Sequence, residues 1–110
     1  YNANPSSMKE AIDNLVKTEA QKKYFILGDM LELGKEAKKE HEAVVELLMD
    51  NDLKGILVGK IFNSIKQNEY ITFSNNEAAK KFLKTNHKSD TLFLIKGSRG
   101  IKLETIQEVL

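Results

Sequence analysis

The sequence has no cysteine and no tryptophan, a single proline among 110 residues, and no excess of either charge. Without cysteine there is no disulfide framework, no thiolate zinc site and no thiol nucleophile. That suits a reducing, cytoplasmic setting, which is the expectation here. The charges nearly cancel, 17 basic against 16 acidic residues for a net +1. A nucleic-acid-binding module normally carries a clear basic surplus, so no nucleic-acid partner is expected. No apolar run comes near the ~20 residues a membrane-spanning helix needs. No secretory signal pattern is visible. The chain opens at Tyr1 without a methionine, so further residues are expected upstream. The length suits one domain, residues 1–110, with enough buried surface for a core without staples.

What is present is alternation. Ser7 to Glu10 has the pattern of a capping box, and Met8, Ala11, Ile12, Leu15 and Val16 then mark one helical face. Tyr24-Phe25-Ile26-Leu27 is a short apolar run of strand type ending at Gly28. Lys35 to Asp50 returns to helical spacing through Ala37, His41, Val44, Val45 and Leu48. Gly55 to Gly59 predicts a second strand, Lys60 to Ile65 a short helix, and Tyr70 to Phe73 a third strand. Ser74 with Glu77 suggests another capping box, followed by Ala78, Ala79, Phe82 and Leu83 on one face. Thr91 to Ile95 predicts a fourth strand, and Ile101 to Leu110 a last helix with Leu103, Ile106 and Leu110 together. Strands alternating with helices predict an α/β, Rossmann-like three-layer domain. Its sheet should be mostly parallel, with helices on both faces.

In such sheets ligands bind beyond the carboxyl ends of the strands. That directs attention to Gly28-Asp29-Met30, Gly59-Lys60, Ser74-Asn75 and Lys96-Gly97-Ser98-Arg99-Gly100. The last loop joins two glycines to two cations and a hydroxyl. It reads equally as a carboxylate or phosphate site and as a glycine turn with solvated cations. "GDMLELGK" is not a nucleotide P-loop: the glycines are one residue too far apart, and Glu36 stands where Ser or Thr is required. Asp29 suits a ribose hydroxyl, an ammonium group or a metal ion, and equally the cap of the next turn. His41 lies on an apolar helix face and reads as a core or boundary histidine. No second His or carboxylate cluster supports a metal site, and none is expected. The two asparagines of "YNANP" carry amides that can read a base edge or ribose, and are ordinary turn formers too. A signalling receiver domain is an alternative reading, since it also has an acid after its first strand and a Lys after its last. It lacks a phospho-acceptor Asp after a middle strand here. A non-catalytic nucleotide-binding module is a third reading.

"YNANPSSM", "LGDMLELG" and "KGSRG" nevertheless occur in this order along nearly the whole chain. Together they resemble the C-terminal domain of the Mur ligases, in the branch that adds D-alanyl-D-alanine. The resemblance implies an excised third domain, cut at the hinge from a central ATP-binding domain, with an N-terminal UDP-sugar-binding domain further upstream. It implies an ATP-dependent, ADP-forming ligase of peptidoglycan precursor synthesis. The full enzyme would phosphorylate the carboxylate of UDP-N-acetylmuramoyl-tripeptide and join it to the dipeptide. ATP and Mg²⁺ would be cofactors of that enzyme, with most of the Mg²⁺ site in the central domain, and the fragment alone would be inactive and hold no catalytic residue. By matching position, the resemblance assigns Asn2, Asn4 and Tyr1 to the ATP site and Asp29, Lys96, Ser98 and Arg99 to the substrate side of the cleft. Lys96 and Arg99 would suit the dipeptide carboxylate, and Asp29 its ammonium end.

Overall fold

The computed structural model describes residues 3–110; Tyr1 and Asn2 lie outside them. Helix α1, Pro5–Lys17, starts earlier than its first capping signal suggested. Its N-cap is Asn4: the Asn4 carbonyl oxygen Oδ1 accepts from the Ser7 amide at 2.9 Å, and the Asn4 amide donates to Ser7 Oγ at 3.1 Å. Ser7 therefore closes the capping box from its third position. Pro5 takes the first helical position, where a missing N–H costs nothing and φ is already set.

Strand β1, Lys23–Gly28, leads through a 3₁₀ turn, Gly34–Glu36, into helix α2, Ala37–Asp50. Strand β2, Gly55–Val58, is followed by a one-turn helix α3, Lys60–Ser64, and strand β3, Ile71–Phe73. Helix α4, Asn76–Thr85, is capped by Asn75, whose Oδ1 accepts from the Ala78 amide, rather than by Ser74. Strand β4, Leu92–Lys96, precedes two 3₁₀ segments, Arg99–Ile101 and Leu103–Val109.

The α-helix expected from Ile101 does not form. Lys102 adopts a left-handed conformation, φ 57°, and breaks the segment. The side chain of Asn76 donates to the Lys102 carbonyl at 3.1 Å and holds that break against α4. Leu103, Ile106 and Val109 fall at intervals of three, the period of a 3₁₀ helix, and all three meet the core.

The sheet has four strands, all parallel, in the order β3-β2-β1-β4. Alternation along each strand divides the core. Phe25, Leu27 and Leu57 face Met8, Ile12, Val45, Leu48 and Phe62 on the α1, α2 and α3 side. Tyr24, Ile26, Ile56 and Val58 face Ala79, Leu83, Leu103 and Ile106 on the other. The fold is thus the expected three-layer α/β domain, with α4 and the final 3₁₀ segment forming the second outer layer.

Candidate functional site

From β1 the chain steps one way, through β2 to β3, and then returns to place β4 on β1's other edge. The loops leaving β1 and β4 therefore diverge, and the crevice between them is the topological switch point of the sheet. Two glycines let the loops begin in contact. A Cβ on Gly97 would come within 2.9 Å of the Gly28 Cα and of the Leu103 side chain.

Ser98 ties this point together and is 1 % exposed. Its amide donates to the Asp29 carbonyl at 3.0 Å. Its hydroxyl accepts from the Leu31 amide at 2.8 Å and reaches the Ala3 carbonyl at 3.5 Å. One small side chain thus joins the loop after β4, the loop after β1 and the segment leading into α1. These are the three stretches singled out in the sequence.

Asp29, 2 % exposed, is turned toward α3. Its Oδ2 accepts from the Ile61 amide at 2.8 Å and its Oδ1 from the Phe62 amide at 2.9 Å. Two charge-assisted bonds to the first turn of a helix satisfy a buried carboxylate. Asp29 thus caps the start of α3, a helix distant in sequence, rather than the turn that follows it. Gly59 makes room for it. Its φ is 127°, and a Cβ there would strike the Asp29 carboxylate.

His41 is fully buried, as a core residue, and it supports the same loop. Nδ1 contacts the Ala37 carbonyl at 2.6 Å, and Nε2 accepts from the Met30 amide at 2.9 Å. The neutral Nδ1–H tautomer meets both demands. The ring stands edge-on to Phe62, with centroids 4.6 Å apart, and Nε2 lies 3.9 Å from Asp29 Oδ1. A protonated ring would turn a second N–H toward the Met30 amide, so the contact with Asp29 is not an ion pair in this arrangement.

Lys96 and Arg99 line a groove of about 530 Å³ on the β4 side, together with Glu104 and Gln107. Lys96 is half-buried, and that burial lowers the pKa of its ammonium group; Arg99 is exposed. Asp29 lines a different groove, about 460 Å³, with Lys60, Asn75 and Lys102. The cations and Asp29 are therefore joined through backbone at Ser98 but face separate hollows. Asn4 is exposed and uses its Oδ1 for the cap of α1. The readings placed on Tyr1 and Asn2 fall outside the described residues. Sequence reasoning missed the part of Ala3, Leu31 and Ile61, which act through backbone groups and leave no side-chain signal.

The family model for "Mur ligase, glutamate ligase domain" matches residues 1–99. A UDP-N-acetylmuramoyl-tripeptide–D-alanyl-D-alanine ligase from Rickettsia prowazekii is 38 % identical over 96 % of this chain and 25 % of its own length. The enzyme of the same description from Bacillus subtilis is 34 % identical, again over 96 % of this chain and 25 % of its own. Among solved structures, the MurF ligase of Thermotoga maritima in complex with ADP superposes with a TM-score of 0.76 at 29 % identity, covering 99 % of this chain and 26 % of its own. MurF from Acinetobacter baumannii superposes with a TM-score of 0.79 at 28 % identity, over 98 % and 26 %. The chain spans about a quarter of the length of these relatives. A match that runs through all three stretches joined at Ser98, with relatives above 30 % identity along nearly the whole chain, makes this chain a member of the Mur ligase family.

Proposed function

We propose that the chain is the third domain of a cytoplasmic, ATP-dependent ligase that adds D-alanyl-D-alanine to UDP-N-acetylmuramoyl-tripeptide, and that it forms one wall of the reaction cleft. The observation that carries this reading is the junction at Ser98. It brings the Asn-Ala-Asn-Pro, Gly-Asp-Met and Lys-Gly-Ser-Arg-Gly stretches to one point at the switch of the sheet. A central ATP-binding domain and a UDP-sugar-binding domain of the same protein would supply the remaining walls.

In this reaction a neutral dipeptide amine attacks the carbonyl of an acyl phosphate. The new C–N bond forms, the bond to phosphate breaks, and the amine gives up a proton. This domain's part is to orient the dipeptide. Arg99 and Lys96 flank the groove on the β4 side and suit a carboxylate that stays charged throughout. The lowered pKa of Lys96 fits a site partly closed to water. Asp29, with both oxygens engaged by amides, acts as a positioning residue: it fixes α3 and the loop before it. Orientation of this kind can supply several kcal/mol of a barrier.

ATP would meet the domain at Asn4, and the family resemblance assigns Asn2 and Tyr1 to the same ligand. That the Thermotoga maritima relative was solved in complex with ADP supports a nucleotide ligand for the whole enzyme. Mg²⁺ does not fit the residues present. Among the described residues there is no group of three or more His, Cys, Asp or Glu side chains placed to hold a metal. The receiver-domain alternative gives way to family membership, and its acidic pocket has no counterpart at Asp29.

The test is steady-state kinetics of Arg99→Ala in the full-length enzyme, with each substrate varied in turn. A hydrogen bond to a charged group is worth about 1.5–3 kcal/mol, so dipeptide kcat/KM should fall roughly ten- to a hundredfold. The constants for ATP should change far less. Arg99→Lys should recover little if the contact is bidentate. Equal loss for ATP and dipeptide would make the loop an element of domain closure instead.

A further inference from the structure

Another hollow lies at the opposite, amino-terminal edge of the sheet, at the far end of the strands from the crevice at Ser98. It is a groove of about 720 Å³, within the range of small-molecule sites. Its lining comes from the starts of β1, β2 and β3, the residues just before them, and the loop that leads into β4. Charge there is lopsided. Lys22, Lys23, Lys54 and Lys88 line it against a single carboxylate, Glu69, in a chain whose charges otherwise nearly cancel.

None of the four lysines has an acidic partner among the described residues. Two of the ammonium groups are instead tethered without being neutralised. Lys23 Nζ donates to the Val16 carbonyl at 3.1 Å, and Lys88 Nζ stands 4.7 Å from the centroid of the Tyr24 ring. Both side chains are half-buried along their stems, so their positions are held before any ligand arrives. Lys22 and Lys54 are exposed at the rim.

Four cations around one concavity, two held in place and none neutralised, match a compact ligand with several negative charges. The two tyrosines that line the groove offer little ring surface for stacking on a base, since both are buried at 8 % exposure. Recognition therefore falls on the anionic groups alone. We propose that this groove binds a small polyphosphate-bearing metabolite, at a site separate from the ligase cleft and independent of the ligase reading.

The experiment uses the full-length protein with 13C-labelled isoleucine methyls, because Ile56 and Ile71 both line the groove. Inorganic tripolyphosphate is the probe, added with the nucleotide cleft saturated by ADP. Saturable shifts of Ile56 and Ile71 are expected. They should weaken roughly fivefold or more in Lys22→Gln/Lys54→Gln, as loss of two exposed ion-pair partners implies. Raising the salt concentration should weaken them as well. Arg99→Ala should leave them unchanged. The proposal fails if the two methyls do not move, or if the double variant binds as tightly. It also fails if a short polyglutamate peptide shifts them at lower concentration than tripolyphosphate, which would make the groove a surface for acidic protein.

Discussion

The Ser98 hydroxyl accepts the Leu31 amide at 2.8 Å, a bond between residues 67 positions apart that fastens the last strand's loop to the first strand's. Ser98→Ala would leave that partly buried amide without its acceptor. Such a loss typically costs about 1–3 kcal/mol. Urea unfolding should show the midpoint falling with the slope unchanged, since the surface exposed on unfolding stays the same. A midpoint unmoved by the substitution would mean that the loops are held by their glycine contacts alone.

Asp29 should separate a cap from a ligand. Asp29→Ala removes both acceptors for the Ile61 and Phe62 amides and is expected to cost about 2–3 kcal/mol. Asp29→Asn keeps one acceptor oxygen and should lose less. The check is thermal unfolding of both variants beside their dipeptide kinetics. A variant of normal stability with ruined dipeptide use would return Asp29 to the substrate.

Gly59 carries two demands at once, a left-handed φ of 127° and space for the Asp29 carboxylate. Gly59→Ala should therefore destabilise by more than the roughly 1–3 kcal/mol that a nearly glycine-only backbone conformation costs by itself. Combining it with Asp29→Ala should give less than the sum, because the second change removes the group that the methyl strikes. Strict additivity in that double-mutant cycle would contradict the steric account.

Tyr70 ties the third strand's entrance to the turn before the second. Its hydroxyl donates to the Leu53 carbonyl at 2.9 Å. Burial, helped by the nearby charges of Glu69 and Asp52, pushes its pKa up to about 12 from 10.0. The folded value lies above the unfolded one, so this contribution is complete below pH 10 and is lost as the pH rises toward 12. Tyr24, raised by burial as well, adds to the same alkaline loss. Tyr70→Phe should cost about 0.5–1.5 kcal/mol at neutral pH and should flatten the decline between pH 10 and 12. Stability curves for the two proteins that stay parallel through that interval would show that the phenol is not what titrates.

The sequence by itself determined the layers. Apolar runs of four or five residues, interleaved with faces spaced at three and four, admit little besides strands alternating with helices. The parallel sheet followed from that order. The edge where the three stretches meet was legible too, because Gly-rich, charged loops follow β1 and β4 at the carboxyl ends of the strands. Capping was misread at α1 and α4 because each start offers a second capping residue within three positions. Asn4 and Asn75 prevailed over Ser7 and Ser74 once backbone geometry chose between them. The last segment was misread for a different reason. Leu103, Ile106 and Val109 suit a 3₁₀ period as well as a helical face, and the left-handed Lys102 held by Asn76 decided which.

Only tertiary structure decided which groups Asp29 and Ser98 bond. Asp29 after a strand, and Ser98 between two glycines, are compatible with a ligand, a metal or a cap. Their partners are the amides of Ile61, Phe62 and Leu31 and the carbonyl of Ala3. Backbone groups are the same at every residue, so no residue type announces them. Strand order had to bring β4 beside β1 before residues 67 and 95 positions away could meet Ser98.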